Sequence, residues 1–221
     1  MKNKTFIISV LICLLPILCK GQFCKLYTTH GEISSSMINN IYQDKKGYIW
    51  VATDDGLNKF DGAKFTSYRT HKNDSTSLIG NHVYKVFQDS KGHLYILSTK
   101  GLQVYDYQSD TFKNIKKSSP SFNNKSITEL RNGSILIGTS GYGMKTLSTD
   151  NKENFLIQDW NPSLSGYTIN EIMEDKNGNI WICTEYHGII RIDKNGKRYD
   201  YSLGTHNGNQ FINCCTEDSY G

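Results

Sequence analysis

Asp54-Asp55 and Glu185-Tyr186-His187 are the stretches of this 221-residue chain whose residue types could do chemistry. Paired carboxylates are the groups that split glycosidic bonds by acid–base work. Carboxylates also accept hydrogen bonds from hydroxyls, and a Tyr ring can stack on a sugar face. Other chemistries find less support. The six Cys include no C-x-x-C and no Cys/His pairing at metal-ligand spacing, so the sequence predicts no zinc site and no other metal. No cofactor motif is present. A sialic-acid carboxylate would call for clustered Arg, and Arg69, Arg131, Arg191 and Arg198 stand at unrelated positions.

The elements that carry these residues are repeats. Residues 41–62 read IYQDKKGYIWVATDDGLNKFDG and residues 86–106 read VFQDSKGHLYILSTKGLQVYD. Aligned on the turn Gly, copy one has Asp44, Gly47, Trp50, Thr53 and Gly56. Copy two has Asp89, Gly92, Tyr95, Ser98 and Gly101. Copy three is worn, with Leu130 in place of Asp, then Gly133, Leu136, Thr139 and Gly143. Copy four has Asp175, Gly178, Trp181, Thr184 and Gly188, and a fifth opens with Asp218 and Gly221. The Gly-to-Gly intervals are 45, 41, 45 and 43, a period that belongs to blade-like arrays.

Each copy reads as four short strands. In the first these are Ile38 to Gln43, Tyr48 to Thr53, Leu57 to Phe60 and Lys64 to Arg69, separated by Asp/Gly turns. The runs YIWVAT and NIWICT are apolar at successive positions, as expected of a sheet covered on both faces. The predicted fold is therefore all-β, a β-propeller of four four-stranded blades plus the start of a fifth, with the ring incomplete. Blade limits are expected near 34–70, 79–115, 125–158 and 168–202, with the fifth from 210. Phe23 to Thr29 is a candidate outer strand for the last blade of a full ring. Trp50 and Trp181, at equivalent positions, read as interblade packing.

The N-terminus reads as a signal peptide over 1–21. Lys2 and Lys4 precede the apolar run Phe6 to Leu18, which is too short to span a bilayer. Export to the periplasm is the implied location. Without these residues, which hold three lysines and no acid, the formal net charge falls from +4 to +1. No polybasic footprint for nucleic acid is left. Export would permit disulfides among Cys24, Cys183, Cys214 and Cys215. However, Cys183 lies in a strand-like run and Cys215 replaces an apolar repeat residue, so both read as small core residues.

The pattern Ile-x-x-Asp-x-x-Gly-x-aromatic-Val/Ile-x-Thr-x-x-Gly-Leu-x-x-aromatic-Asp resembles the two-component regulator propeller repeat. The best stretches are IYQDKKGYIWVATDDGLNKFDGAKFTSY and NEIMEDKNGNIWICTEYHGIIRID. The resemblance implies the periplasmic sensor region of a bacterial hybrid two-component histidine kinase. Such regions commonly recognise oligosaccharides and regulate polysaccharide-utilisation genes. It further implies partners outside this sequence: the rest of the propeller and a membrane-linked kinase, with a homodimer left open. These 221 residues show no phosphoacceptor-His helix and no nucleotide loop, so a sensory, non-catalytic segment is expected. The alternatives are a secreted carbohydrate- or protein-binding propeller without a kinase and, with less support, part of a propeller glycosidase or sialidase.

Propeller ligands usually meet loops on one face. The turns between second and third strands keep Thr and Gly as a frame while the residues between them vary. The expected ligand contacts are therefore Asp54, Asp55, Tyr142, Glu185, Tyr186 and His187. The repeat residues Asp44, Gly47, Trp50, Asp89, Gly92, Tyr95, Gly133, Asp175, Gly178 and Trp181 are assigned to the fold.

Overall fold

The computed structural model describes residues 25–29, 32–115, 123–149, 155–202 and 211–219. The leader, Phe23 and Cys24 lie outside them. Sixteen strands form four antiparallel sheets, each a meander in chain order. Blade 1 is β1 (Ile38–Gln43), β2 (Ile49–Thr53), β3 (Gly56–Phe60) and β4 (Phe65–Tyr68). Blade 2 is β5 (Val83–Gln88), β6 (Leu94–Ser98), β7 (Gly101–Asp106) and β8 (Thr111–Asn114). Blade 3 is β9 (Asn124–Glu129), β10 (Ile135–Thr139), β11 (Met144–Thr149) and β12 (Phe155–Asp159). Blade 4 is β13 (Ile169–Glu174), β14 (Ile180–Thr184), β15 (Ile189–Ile192) and β16 (Arg198–Tyr201). The blades form an open arc that does not close into a ring.

The continuous apolar runs are explained by two-sided burial. In β6, Leu94 and Ile96 join the cluster shared with blade 1, while Tyr95 and Leu97 join the cluster shared with blade 3. In β10, Ile135 and Ile137 face blade 2 and Leu136 faces blade 4. Alternation survives, but each face meets a different neighbour. Residues 211–219 contain no assigned strand. They lie along blade 4, with the Ile212 N–H donating to the Thr184 carbonyl at 3.1 Å. Residues 25–29 form no strand either, and Tyr27 packs edge-on against Phe60 and Phe65 of blade 1.

The repeat Asp does more than make a turn. Asp44 Oδ1 accepts the backbone N–H groups of Lys46 and Tyr48 at 2.9 and 3.0 Å, and Oδ2 accepts the Trp50 indole N–H at 2.8 Å. Tyr107 of blade 2 donates to the same Oδ2 at 2.7 Å. Trp50 is fully buried, and its ring meets Tyr105 of blade 2 edge-on. Asp175 repeats this with Trp181 at 2.8 Å. In blade 2 the Tyr95 hydroxyl replaces the indole and donates to Asp89 Oδ2 at 3.0 Å.

Blade 3 shows why the pairing exists. The Leu130 turn keeps the same backbone bonds, Leu130 N–H to Ser134 O and Gly133 N–H to Leu130 O, both 2.8 Å. Gly133 takes the same positive φ, 81°, as Gly47 at 88°. The turn therefore does not need the carboxylate. What disappears along with the Asp is the aromatic donor, because Leu136 stands at the Trp position. A buried indole N–H without an acceptor would cost about 1–3 kcal/mol, and blade 3 avoids this by making both residues aliphatic.

A second device joins the blades. The N–H one residue past each repeat Asp position donates to the Gln or Glu that precedes the next copy's Asp position. Lys45 N–H reaches Gln88 Oε1 at 2.8 Å, Ser90 N–H reaches Glu129 Oε2 at 2.6 Å, and Arg131 N–H reaches Glu174 Oε2 at 2.7 Å. Lys176 N–H reaches Glu217 Oε2 at 2.9 Å. Gln or Glu precedes the Asp position in every copy, Gln43 included. Between blades 1 and 2, Lys59, Tyr68 and Tyr105 also converge on one oxygen of Asp110.

Two predictions follow from the paired carboxylate and aromatic. Leu136→Trp should lower stability by about 1–3 kcal/mol through overpacking and an orphan indole N–H. Adding Leu130→Asp should recover about 1 kcal/mol, read as a coupling energy from urea midpoints. At Asp175, burial acts to raise the carboxyl pKa. Bonds from the Asn179 and Trp181 side chains and from two backbone N–H groups outweigh it, and hold the pKa at about 2. This depressed group stabilises the fold above its ordinary carboxylate range and loses that contribution as pH falls toward 2. Urea midpoints measured from pH 5 to pH 2 should therefore drop less for Asp175→Asn than for the parent chain.

Candidate functional site

The β2–β3 turn of blade 1 and its counterparts share a face with the blade connectors. The Gly56 N–H donates to the Asn81 carbonyl at 2.7 Å, Ser140 N–H to Asn123 O at 2.9 Å, and Glu185 N–H to Thr168 O at 3.1 Å. Each turn is framed by a buried hydroxyl that donates to the turn glycine's carbonyl. Thr53 reaches Gly56 O at 2.9 Å, Ser98 reaches Gly101 O at 3.3 Å, Thr139 reaches Gly143 O at 2.7 Å and Thr184 reaches Gly188 O at 2.8 Å. Gly143 (φ 67°) admits no side chain, since a Cβ would lie 2.3 Å from the Leu164 carbonyl oxygen. The framed residues are held rigid while the side chains between them remain free to differ.

The six expected contacts fall into local groups. On blade 1, Asp54 Oδ1 accepts from Asn39 at 2.8 Å and faces His82 Nδ1 at 3.4 Å. Asp55 is bridged by Arg69 at 3.1 Å and by Asn81 at 3.3 Å. On blade 4, Glu185 takes Lys125 of blade 3 on one oxygen and the Tyr186 hydroxyl on the other, both at 3.0 Å. The Lys125 bond leads in holding the Glu185 carboxyl below its ordinary range. His187 lies 4.1 Å from the Tyr167 ring. Tyr186 is 55% exposed, and Tyr142, on the blade 3 turn, is 44% exposed. Asp54 and Asp55 are bound by different neighbours, Asn39 and His82 against Arg69 and Asn81.

The sequence reading missed the residues nearest the axis. Each inner strand carries a β-bulge, where the register skips Asn39, Tyr84, Lys125 and Asn170 in turn. Bulges re-aim side chains. Here the Asn39 amide donates to Val83 O at 3.0 Å and the Asn170 amide to Ile212 O at 2.9 Å, each on the next inner segment. Lys125 reaches Asn170 at 3.3 Å. Beside them, Lys85 of blade 2 pairs with both oxygens of Glu171 of blade 4, at 2.8 and 2.9 Å. A legible sign existed. Ile38-Asn-Asn-Ile41, Val83-Tyr-Lys-Val86 and Ile169-Asn-Glu-Ile172 insert two polar residues where strict alternation allows one.

The resulting surface is polar. Lys85, Lys125 and Arg69 are each matched by a carboxylate. Among the described residues, no three His, Cys, Asp or Glu come together in a way that could hold a metal ion.

The family described as two component regulator propeller matches residues 32–55 and 163–186, the two copies that keep both the Asp and the Trp. Those two stretches are similar to two-component regulator propeller repeats. Histidine kinase P4 of Formosa agariphila is 42% identical over 82 residues. That alignment covers 35% of this chain and 6% of the kinase. Among solved structures, an extracellular domain from B. thetaiotaomicron described as that of a one component system superposes with a TM-score of 0.64 at 18% identity. It covers 88% of this chain and 25% of that one. Virginiamycin B lyase from Staphylococcus aureus gives a TM-score of 0.59 at 15% identity, over 82% of this chain and 59% of the lyase. These two likenesses concern the fold. The chain spans less than two thirds of the length of each of these relatives.

The cross-arc pair offers a test. Both side chains are half-buried, so removing one partner leaves a poorly solvated charge. Lys85→Met should cost about 1–2 kcal/mol in chemical denaturation, and Lys85→Met with Glu171→Met should recover most of it.

Proposed function

We propose that this chain is the extracytoplasmic sensing propeller of a two-component receptor. Its connector face binds a neutral oligosaccharide, and occupancy is relayed to a kinase lying outside these residues, so as to regulate genes for polysaccharide use. The repeat family and the likeness to a histidine kinase support the receptor class. The observation that carries the ligand class is the connector face itself. It exposes Tyr142 and Tyr186, the latter hydrogen-bonded to Glu185, while Arg69, Lys85 and Lys125 are paired with carboxylates. Aromatic faces and hydroxyl acceptors suit a polyol. The engagement of these three cations favours an uncharged one.

The segment itself is proposed to be non-catalytic. The arginines that a sialidase would need are dispersed. Arg69 holds Asp55, Arg131 binds at Glu174, Arg198 binds Asp200, and Arg191 lies 4.3 Å over the Tyr199 ring. A secreted binding propeller without a kinase would use the same face.

A glycan array probed with the purified chain should retain neutral oligosaccharides in preference to uronate-bearing or sulfated ones. Tyr186→Ala should weaken the best binder about tenfold, near the upper end for one aromatic contact. Lys91→Ala, beside the opposite Asp89 turn, should leave binding unchanged. An array with no retained glycan would overturn the ligand class.

A further inference from the structure

Cys183 and Cys215 occupy a pair of positions that recurs at every blade interface. Cys183 stands eight residues after its repeat Asp, where blades 1 to 3 have Ala52, Leu97 and Gly138. Cys215 stands three residues before Asp218, where blades 2 to 4 have Val86, Ile127 and Ile172. At the first interface Ala52 and Val86 belong to one core cluster, and at the second so do Leu97 and Ile127. At the fourth, both members have become Cys together. The two thiols lie within reach of each other. The Ile212 N–H bond to Thr184 O fixes the segment that carries Cys215 alongside β14, which carries Cys183. Cys183 is fully buried, Cys215 is partly exposed, and Cys214 points outward as an exposed thiol.

We propose that Cys183 and Cys215 are a redox pair that closes to a disulfide, stapling residues 211–219 onto blade 4. The oxidant is an external disulfide, either a small-molecule one or one carried by an oxidoreductase. The Cys215 thiolate, the accessible member, attacks one sulfur of that disulfide and displaces the first external thiolate. Cys183 then loses its proton and attacks the Cys215 sulfur in the mixed disulfide, displacing the second. Two electrons pass to the external disulfide, which leaves as two thiols carrying the two protons. The neighbouring Cys183 thiol holds the Cys215 thiol below its ordinary pKa. That same contact, together with burial, pushes Cys183 up, which suits this order of attack. The pairing rests on the interface geometry and is independent of the ligand assigned above.

The test is oxidation of the purified chain with glutathione disulfide, alkylation of the remaining thiols, and mass analysis of the intact chain and its peptides. The proposal expects a loss of two hydrogens and a cross-link between the peptide holding Cys183 and the one holding Cys214 and Cys215. Cys214→Ser should keep this cross-link, and Cys215→Ser should abolish it. The oxidised chain should melt about 5 °C above the reduced one, a shift that Cys214→Ser retains and Cys183→Ala removes. Three outcomes would overturn the proposal: a bond between Cys214 and Cys215, a cross-link between molecules, or free alkylation of Cys215 after oxidation.

Discussion

A carboxylate that serves a turn and a buried aromatic donor at once is the constraint on which the blades depend. Asp44 and Asp175 bind the backbone through one oxygen and an indole through the other. The Trp50 indole sits in the middle of β2, on the face that meets blade 2. In blade 1 a single side chain thus ties the turn to interblade packing. Neither partner is useful alone. The indole buries a large apolar surface only if its N–H is answered, and blade 3 dispenses with both together at Leu130 and Leu136.

This economy divides the molecule into two faces. On the Asp face, Asp44, Asp89 and Asp175 serve their turns, and Gln88, Glu129 and Glu174 join neighbouring blades. On the connector face, buried hydroxyls and glycines hold the turns, and the residues between them bind locally or, as Glu185 does with Lys125, across to another blade. The bulges lie at the same end, which brings polar side chains from the inner strands toward the axis. A substitution at Tyr142 or Tyr186 need not disturb the carboxylates of the Asp turns.

Much of the fold was legible because its signals are local. The Asp-x-x-Gly turns and the β-branched and aromatic runs each lie within a few residues. The readings of Asp44 and of the bulges were less complete. The Asp turn was explained by backbone propensity alone, although the six-residue spacing to Trp50 and its joint loss in blade 3 pointed to a second role. The extra polar residue in each inner strand broke the alternation visibly, yet its meaning depends on a neighbouring strand. Lys85 and Glu171 were not legible at all. They lie 86 residues apart, on blades that are not adjacent, and only the curvature of the arc brings them together. The connector-face residues were singled out as positions the repeat does not dictate. Their partners, such as Asn39 for Asp54, Arg69 for Asp55 and Lys125 of blade 3 for Glu185, have no sequence signature.

The bond from each turn N–H to the next blade's Gln or Glu has a direction. Every blade offers a donor on one side and an acceptor on the other, so the contact is head-to-tail rather than self-complementary. Contacts of this kind set no stopping point of their own, and they end only when rotation returns the last donor to the first acceptor. The number of units is then a question of angle, not of chemistry. Gene duplication could change the count by one without inventing a new interaction. The worn third copy shows how far a unit can drift inside such an array, since Arg131 still donates and Glu129 still accepts.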